Sequence, residues 1–201
     1  MGLKYFKRNL FLLLLIFNVT VASAETILRK THVERGCDLL VDVYYSGGKE
    51  IARQARDANG VIEKKGKILN GRVEFTDEYS KTSGEEYYRK GKKHGLSQTF
   101  YENGKIKEKA LYEFGRLIWR EENYQDGTLR LKVDYSDARA KEGNAEAGIG
   151  KLYYKNGNMK YEWHCTYTSE LGFRKTYNQK GQLMYEEYFN EDGVVVEKKS
   201  Y

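Results

Sequence analysis

The feature that most constrains this chain is a turn that recurs along it. Tyr101-Glu102-Asn103-Gly104-Lys105-Ile106 sets an aromatic residue, polar residues, a glycine and an aliphatic residue in a fixed order. The order returns as Tyr124-Gln125-Asp126-Gly127-Thr128-Leu129 and as Tyr154-Lys155-Asn156-Gly157-Asn158-Met159. Two later copies, 177–183 and 189–195, read as versions with one extra residue, and 45–51 and 57–62 as weaker ones. Asn-Gly or Asp-Gly between alternating apolar and polar residues signals a hairpin, because the tight turn needs positive φ at a central position. Counted between turn glycines, the basic unit holds two strands and two turns. The step from Gly181 to Gly193 is half a unit, and the step from Gly127 to Gly157 is long.

The rest of the chain fits the same plan. With 18 Tyr, 20 Gly and no Pro, the composition suits many strands joined by glycine turns. Strands are expected over 26–33 and 38–45, with a turn at Ser46-Gly47-Gly48-Lys49, then over 51–56 with a turn at Asp57-Ala58-Asn59-Gly60. Residues 67–75 read as a strand containing its own turn at Asn70-Gly71, and the polar stretch 76–84 as a loop. Residues 136–150 are small and charged, and read as an inserted loop. The fold class is therefore all-β: tandem β-hairpin repeats in an elongated, twisted antiparallel sheet. Residues 25–84 form a degenerate N-terminal hairpin region and 85–201 the repeat region. Lone hairpins are marginal in water, so the units must stack.

Residues 1–24 have the pattern of a Sec-type signal peptide. Lys4, Lys7 and Arg8 precede the apolar run Leu10 to Phe17, and Ala22-Ser23-Ala24 forms a small-x-small cleavage site. The run is too short to span a bilayer comfortably. Export to the periplasm or beyond is the expectation. Loss of the leader lowers the net charge from +6 to about +3, which gives no reason to expect nucleic acid as a partner. An oxidising compartment would let Cys37 and Cys165 pair, and the spacing leaves both a bridge and two separate thiols open.

No catalytic constellation emerges. His32, His94 and His164 lack metal-ligand spacing, and no nucleophile elbow, P-loop or dinucleotide fingerprint is present. His164 and Cys165 are adjacent, so on a strand they face opposite sides and form no dyad. Glu85-Glu86, Glu121-Glu122 and Glu186-Glu187 split across the two faces in the same way. The chain reads as non-catalytic, without metal or cofactor, with His94 packing a turn on a neighbouring unit. Three binding modes follow. Tyr101, Trp119, Tyr124 and Tyr154 are the expected partner-binding rings, set on one face. Lys90, Lys92, Lys93, Lys105, Lys107 and Lys109 are the alternative, an anionic lipid surface. Rows of rings also suit a carbohydrate-binding or carbohydrate-active protein. Open sheet edges make an edge-to-edge homodimer a further expectation.

Lys90-Gly91-Lys92-Lys93-His94-Gly95-Leu96, followed by Phe100-Tyr101-Glu102-Asn103-Gly104-Lys105-Ile106-Lys107-Glu108, resembles the bacterial variant of the MORN repeat. The likeness extends in weaker form over 119–135 and 150–162. It implies successive β-hairpins in a twisted sheet and non-enzymatic work: protein binding, scaffolding or contact with membrane lipids. Many similar bacterial proteins are labelled antitoxin components, which implies an unknown protein partner, here an effector or toxin acting in the envelope. The Lys-x-His-Gly segment occurs once only, so nothing tied to it transfers to the other copies.

Overall fold

A computed structural model describes residues 26–34, 39–68, 70–135, 148–165, 171–190 and 192–201. The expected leader 1–24 and Cys37 lie outside them, as do residues 136–147 of the expected insertion and the side chain of Cys165. Every regular element among them is a strand: β1 (Ile27–Glu34), β2 (Leu39–Ser46), β3 (Lys49–Asp57), β4 (Gly60–Gly66), β5 (Gly71–Asp77), β6 (Thr82–Arg89), β7 (Lys92–Lys93) and β8 (Gly95–Tyr101). The second half continues with β9 (Ile106–Glu113), β10 (Arg116–Asn123), β11 (Leu129–Asp134), β12 (Gly148–Tyr153), β13 (Met159–Cys165), β14 (Leu171–Tyr177), β15 (Leu183–Phe189) and β16 (Val195–Ser200). All belong to one open sheet, which runs from β16 down to β8, then β6, β5, β1, β2, β3 and β4, with β7 paired to β6. The expected division near residue 84 falls inside β6.

Five hairpin turns of the repeat region, gathered along one edge, close in one way. The amide of the opening residue donates to the carbonyl four residues on, and the turn glycine donates back to the opening residue. Tyr101 N–H bonds Lys105 O at 2.8 Å and Gly104 N–H bonds Tyr101 O at 2.9 Å. The same pair of bonds forms in the turns opened by Tyr124, Tyr154, Asn178 and Asn190. Gly104, Gly127, Gly157, Gly181 and Gly193 all have positive φ, from 72° to 92°, a region that L side chains avoid. A bulge precedes each turn, for example between Thr99 and Phe100 and between Leu152 and Tyr153. The last two turns therefore hold no extra residue. Counted back from the glycine, the opening position is Asn178 or Asn190, and Tyr177 and Phe189 match Phe100.

Neighbouring units are tied together along the edge where these turns gather. Tyr101 Oη donates to Asn123 O at 2.5 Å, Tyr124 Oη to Tyr153 O at 2.8 Å, and Tyr154 Oη to Tyr177 O at 3.0 Å. Each phenol thus reaches from one turn to the strand end that opens the next. Asn103 and Asn156 side-chain amides add bonds to Gln125 O and Gln179 O. The series stops at Asn178, whose Oδ1 accepts from Lys180 N–H and Gln182 N–H of its own turn.

The N-terminal region departs from expectation in three places. β1 pairs with β5 in parallel, Ile27 opposite Val73, and every other pairing is antiparallel. The chain climbs β1 to β4 as a meander, then returns across the sheet to β5. Lys67 and Ile68 belong to this crossing, not to the start of a strand. Ile68 is buried there against Ile27, Tyr44, Ala52 and Val73, which gives this part of a thin sheet a core. The polar stretch 76–84 is mostly strand, because Asp77 Oδ1 accepts from Tyr79 N–H and Ser80 N–H and closes a short turn. Gly148 to Gly150, placed by the sequence in the inserted loop, begin β12.

Loss of one inter-unit phenol bond should be measurable. Tyr124→Phe is expected to lower stability by about 1 kcal/mol in chemical denaturation, the net worth of one such bond, with an unchanged circular dichroism spectrum.

Candidate interaction face

The register lays side chains out in rows that cross the strands. On one face, direct partners form a continuous charged ladder: Glu74, Glu85, Gln98, Lys109 and Glu121, from β5 to β10. It continues through Lys132, Lys151, Glu162, Lys175, Glu186 and Lys199 to β16. Ion pairs link three of its steps: Lys132–Glu121 at 2.8 Å, Lys151–Glu162 at 3.3 Å and Lys175–Glu186 at 2.9 Å. Hydrogen bonding to Glu186 raises the Lys175 ammonium above its usual range, and the same contact lowers the Glu186 carboxyl. Such exposed pairs add little stability each, yet they hold the charged heads in lateral contact.

Two residues further along each strand, on the same face, runs a second row. Leu96, Leu111, Trp119, Asp134, Ile149, His164 and Phe173 are successive direct partners from β8 to β14. Leu96 is 38% exposed and Ile149 47% exposed, so this row forms a mainly apolar strip on an unpartnered face. The His164 ring stacks on Phe173 at 6.0 Å. A concavity of about 540 Å³ opens over Ile149, with Lys132, Asp134, Lys151 and His164 around it. A larger one, about 820 Å³, lies on the same face near β1 and β5.

The opposite face is packed more closely. Ala110, Val133, Gly150 and Trp163 lie in one row there, and Ala110 and Val133 are buried. The Trp163 ring covers Gly150 so closely that a Cβ at that position would sit 2.1 Å from it. Glu86, 2% exposed, is a buried charge of this face, as are Asp42 and Glu187. Glu86 accepts from Arg29 Nη1 at 3.1 Å and Tyr88 Oη at 3.1 Å, and Lys93 Nζ lies 2.5 Å away. Burial is the largest single influence on Arg29 and works against its charge, but Glu86, Tyr44 and Asp42 together outweigh it and raise the guanidinium pKa. Burial, reinforced by Glu86, pushes the Tyr88 phenol far up. Buried charges are retained where they are paired and hydrogen-bonded in this way.

These placements redistribute the residues singled out from sequence. Tyr101, Tyr124 and Tyr154 sit together at the turn edge with their hydroxyls spent on the next unit. Trp119 lies apart from them, on the ladder face. The six lysines do not share a surface. Lys93 serves Glu86, Lys105 Nζ donates to Asp126 O at 2.6 Å, Lys107 lies 5.8 Å over the Tyr101 ring, and Lys109 is a rung of the ladder. Lys90 and Lys92 flank the Gly91 turn at the other edge. His94 packs a turn as expected: its Nδ1 accepts from Phe114 N–H at 3.4 Å, and the two rings are 4.6 Å apart. Among the described residues no group of three or more His, Cys, Asp or Glu is placed to hold a metal ion. The ladder escaped notice in the sequence, though its signal is there: Lys109, Lys132, Glu162 and Glu186 each follow a turn glycine at the same distance.

Residues 93–113 and 147–164 match the family model described as the MORN repeat variant. The first match covers the β8–β9 hairpin and the second the β12–β13 hairpin, the two equivalent units whose turns contain Asn-Gly. No curated protein matches the chain.

One carboxylate of the packed face is poorly placed. Glu108 lies directly opposite Glu122. Burial pushes its carboxyl above the usual 4.5, Arg120 only partly offsets this, and Glu122 adds to it. A carboxyl raised in the folded state binds its proton more tightly there than in the unfolded chain. Stability therefore gains as pH falls through the raised pKa and is reduced at neutral pH. Glu108→Gln is expected to raise stability at pH 7 by about 0.2–1 kcal/mol, the scale of a like-charge cross-strand pair. Thermal melts from pH 7 to pH 4 should show that gain shrinking as the wild type takes up its proton.

Proposed function

We propose that this is an exported, non-catalytic protein-interaction module of the cell envelope, which acts by covering an effector or toxin and holding it inactive. The observation that carries the reading is the mainly apolar strip of Leu96, Leu111, Trp119, Ile149 and Phe173, interrupted by Asp134 and His164, on the ladder face. Exposed apolar surface rimmed by charge marks interaction sites, and a large ring such as Trp119 is the usual energetic anchor. The ladder beside it supplies a rim of both signs, which suits selection of a partner by charge pattern. Similarity to MORN repeats supports the same class of work, since such repeats commonly serve as protein- or membrane-interaction modules. Export rests on the leader pattern of residues 1–24.

The lipid reading has less support, because the six lysines are divided between edges and faces and give charge-driven adsorption no focus. Only weak co-sedimentation with anionic vesicles is expected, and strong, salt-sensitive retention would reverse the order of the two readings.

The direct test is crosslinked co-purification of the tagged chain from its own host's envelope, with Trp119→Glu and Ile149→Glu beside the wild type. A stoichiometric partner is expected with the wild type and lost with both variants, while circular dichroism stays native. A partner retained equally by the folded variants would rule out this face.

A further inference from the structure

We propose that the larger concavity of the ladder face is a binding site for a neutral oligosaccharide. It measures about 820 Å³ and spans β2, β1, β5, β6 and β8, across the one parallel pair of the sheet. This site is independent of the strip around Trp119.

Two rows of side chains line it. Tyr45, Leu28, Glu74 and Glu85 are successive direct partners in one row. Lys30, Thr76, Ser83 and Phe100 form the other. From β2 to β8 is four strand spacings, roughly 19 Å, so the site is a long open groove. Tyr45 and Phe100 stand at diagonally opposite corners. On the outer side of the first row Arg72 is held by two carboxylates, with Nη2 2.8 Å from Glu74 and 2.7 Å from Glu85, and Nε bonded to Glu85 at 2.8 Å. Arg72 and Glu74 remain 43% and 41% exposed despite this pairing. The groove therefore offers a fixed array of donors and acceptors, and little further ordering is needed on binding. Thr76 and Ser83 add two neighbouring hydroxyls.

The chemistry of the lining selects the ligand. The groove lies on a sheet face, where backbone N–H and C=O groups are already used in the ladders. An extended peptide would bury its own backbone there with side chains as its only partners. Arg29, Lys30 and Arg72 balance Glu74, Glu78 and Glu85, and Arg29 is already paired with Glu86, so no cationic cluster favours a phosphate or polyanion. Carboxylates, guanidinium and hydroxyls make the walls too polar for an acyl chain. A neutral sugar chain fits on each count. Its hydroxyls donate to Glu74 and Glu85 and accept from Arg72, while its C–H faces pack on Tyr45, Leu28 and Phe100.

The test is isothermal titration of the purified chain with tetrasaccharides of β-1,4-linked glucose, β-1,4-linked N-acetylglucosamine and α-1,4-linked glucose. Tetragalacturonate and a neutral tetrapeptide serve as contrasts. At least one neutral tetrasaccharide should bind saturably, about tenfold more weakly to Phe100→Ala and to Arg72→Met, and unchanged to Trp119→Glu. That last variant separates this site from the protein-binding strip. No saturable neutral binding up to about 10 mM, equal binding by the folded groove variants, or preference for tetragalacturonate or the peptide would overturn the assignment. If a groove variant loses its native circular dichroism, ligand-induced amide shifts in the unaltered chain decide. Shifts at Thr76 and Gly84 support the site, and shifts confined elsewhere overturn it.

Discussion

The structure depends on a turn that closes the same way in unit after unit. Two backbone hydrogen bonds and one glycine of positive φ fix it, and a bulge at its entrance sets the twist and register of the strands it joins. A slip of one residue would exchange the faces of every following side chain. Because the turn recurs with constant internal length, charge follows charge and apolar follows apolar across the strands. The ladder and the strip beside it are thus consequences of turn geometry. The phenols of Tyr101, Tyr124 and Tyr154 extend the same control from one unit to the next. Each bonds a carbonyl two strands away, so hairpins that are marginal alone become a continuous sheet.

A sheet one layer thick must find burial without a second layer. It does so in two ways. At the N-terminal end the chain crosses back over its own strands, and Ile68 closes a small core over Ile27, Tyr44 and Val73. Elsewhere small residues let large ones lie flat, as Trp163 does over Gly150. Aromatic cover over a strand glycine replaces the missing side-chain contacts. Both devices act on the face opposite the ladder; on the ladder face a small buried cluster of Val41, Val43 and Ala55 lies at β2 and β3, and the strip from β8 to β14 is left open.

Much of this was legible in the sequence, and the reasons for the rest are physical. The hairpin repeat and the half-unit step to Gly193 follow from local turn chemistry, which sequence displays directly. The parallel pairing of β1 with β5 does not, because it joins segments distant along the chain and leaves no local mark. The polarity of 76–84 points to a loop, whereas Asp77 needs only a short turn and Thr82 is buried. Asn178 and Asn190 were hidden by the aromatic residue before them. Counting from Tyr177 and Phe189 gave an extra residue that the hydrogen bonds do not contain. The sequence marks Tyr101, Tyr124 and Tyr154 by their place before each turn, but a phenol bonded to the next unit and a phenol offered to a partner look alike until the register is known.

The two outermost strands of the described sheet bear on where binding can occur. β4 contains Val61-Ile62-Glu63-Lys64-Lys65 and β16 contains Val195-Val196-Glu197-Lys198-Lys199. All of these residues are exposed. Consecutive lysines on an outer strand oppose the approach of another strand, since a neighbour would have to bury or displace them. Open edges alone suggested pairing between copies, but the residues placed there work against it. A sheet guarded at its edges and packed on one face has one large surface left. On that surface charges are compensated laterally, Glu121 by Lys132 and Lys175 by Glu186, so a partner meets fixed dipoles of both signs and little net charge. Desolvating such pairs costs less than desolvating isolated ions, and the apolar strip beside them supplies the burial that offsets it. Geometry and electrostatics therefore leave the ladder face as the surface best suited to meet a partner.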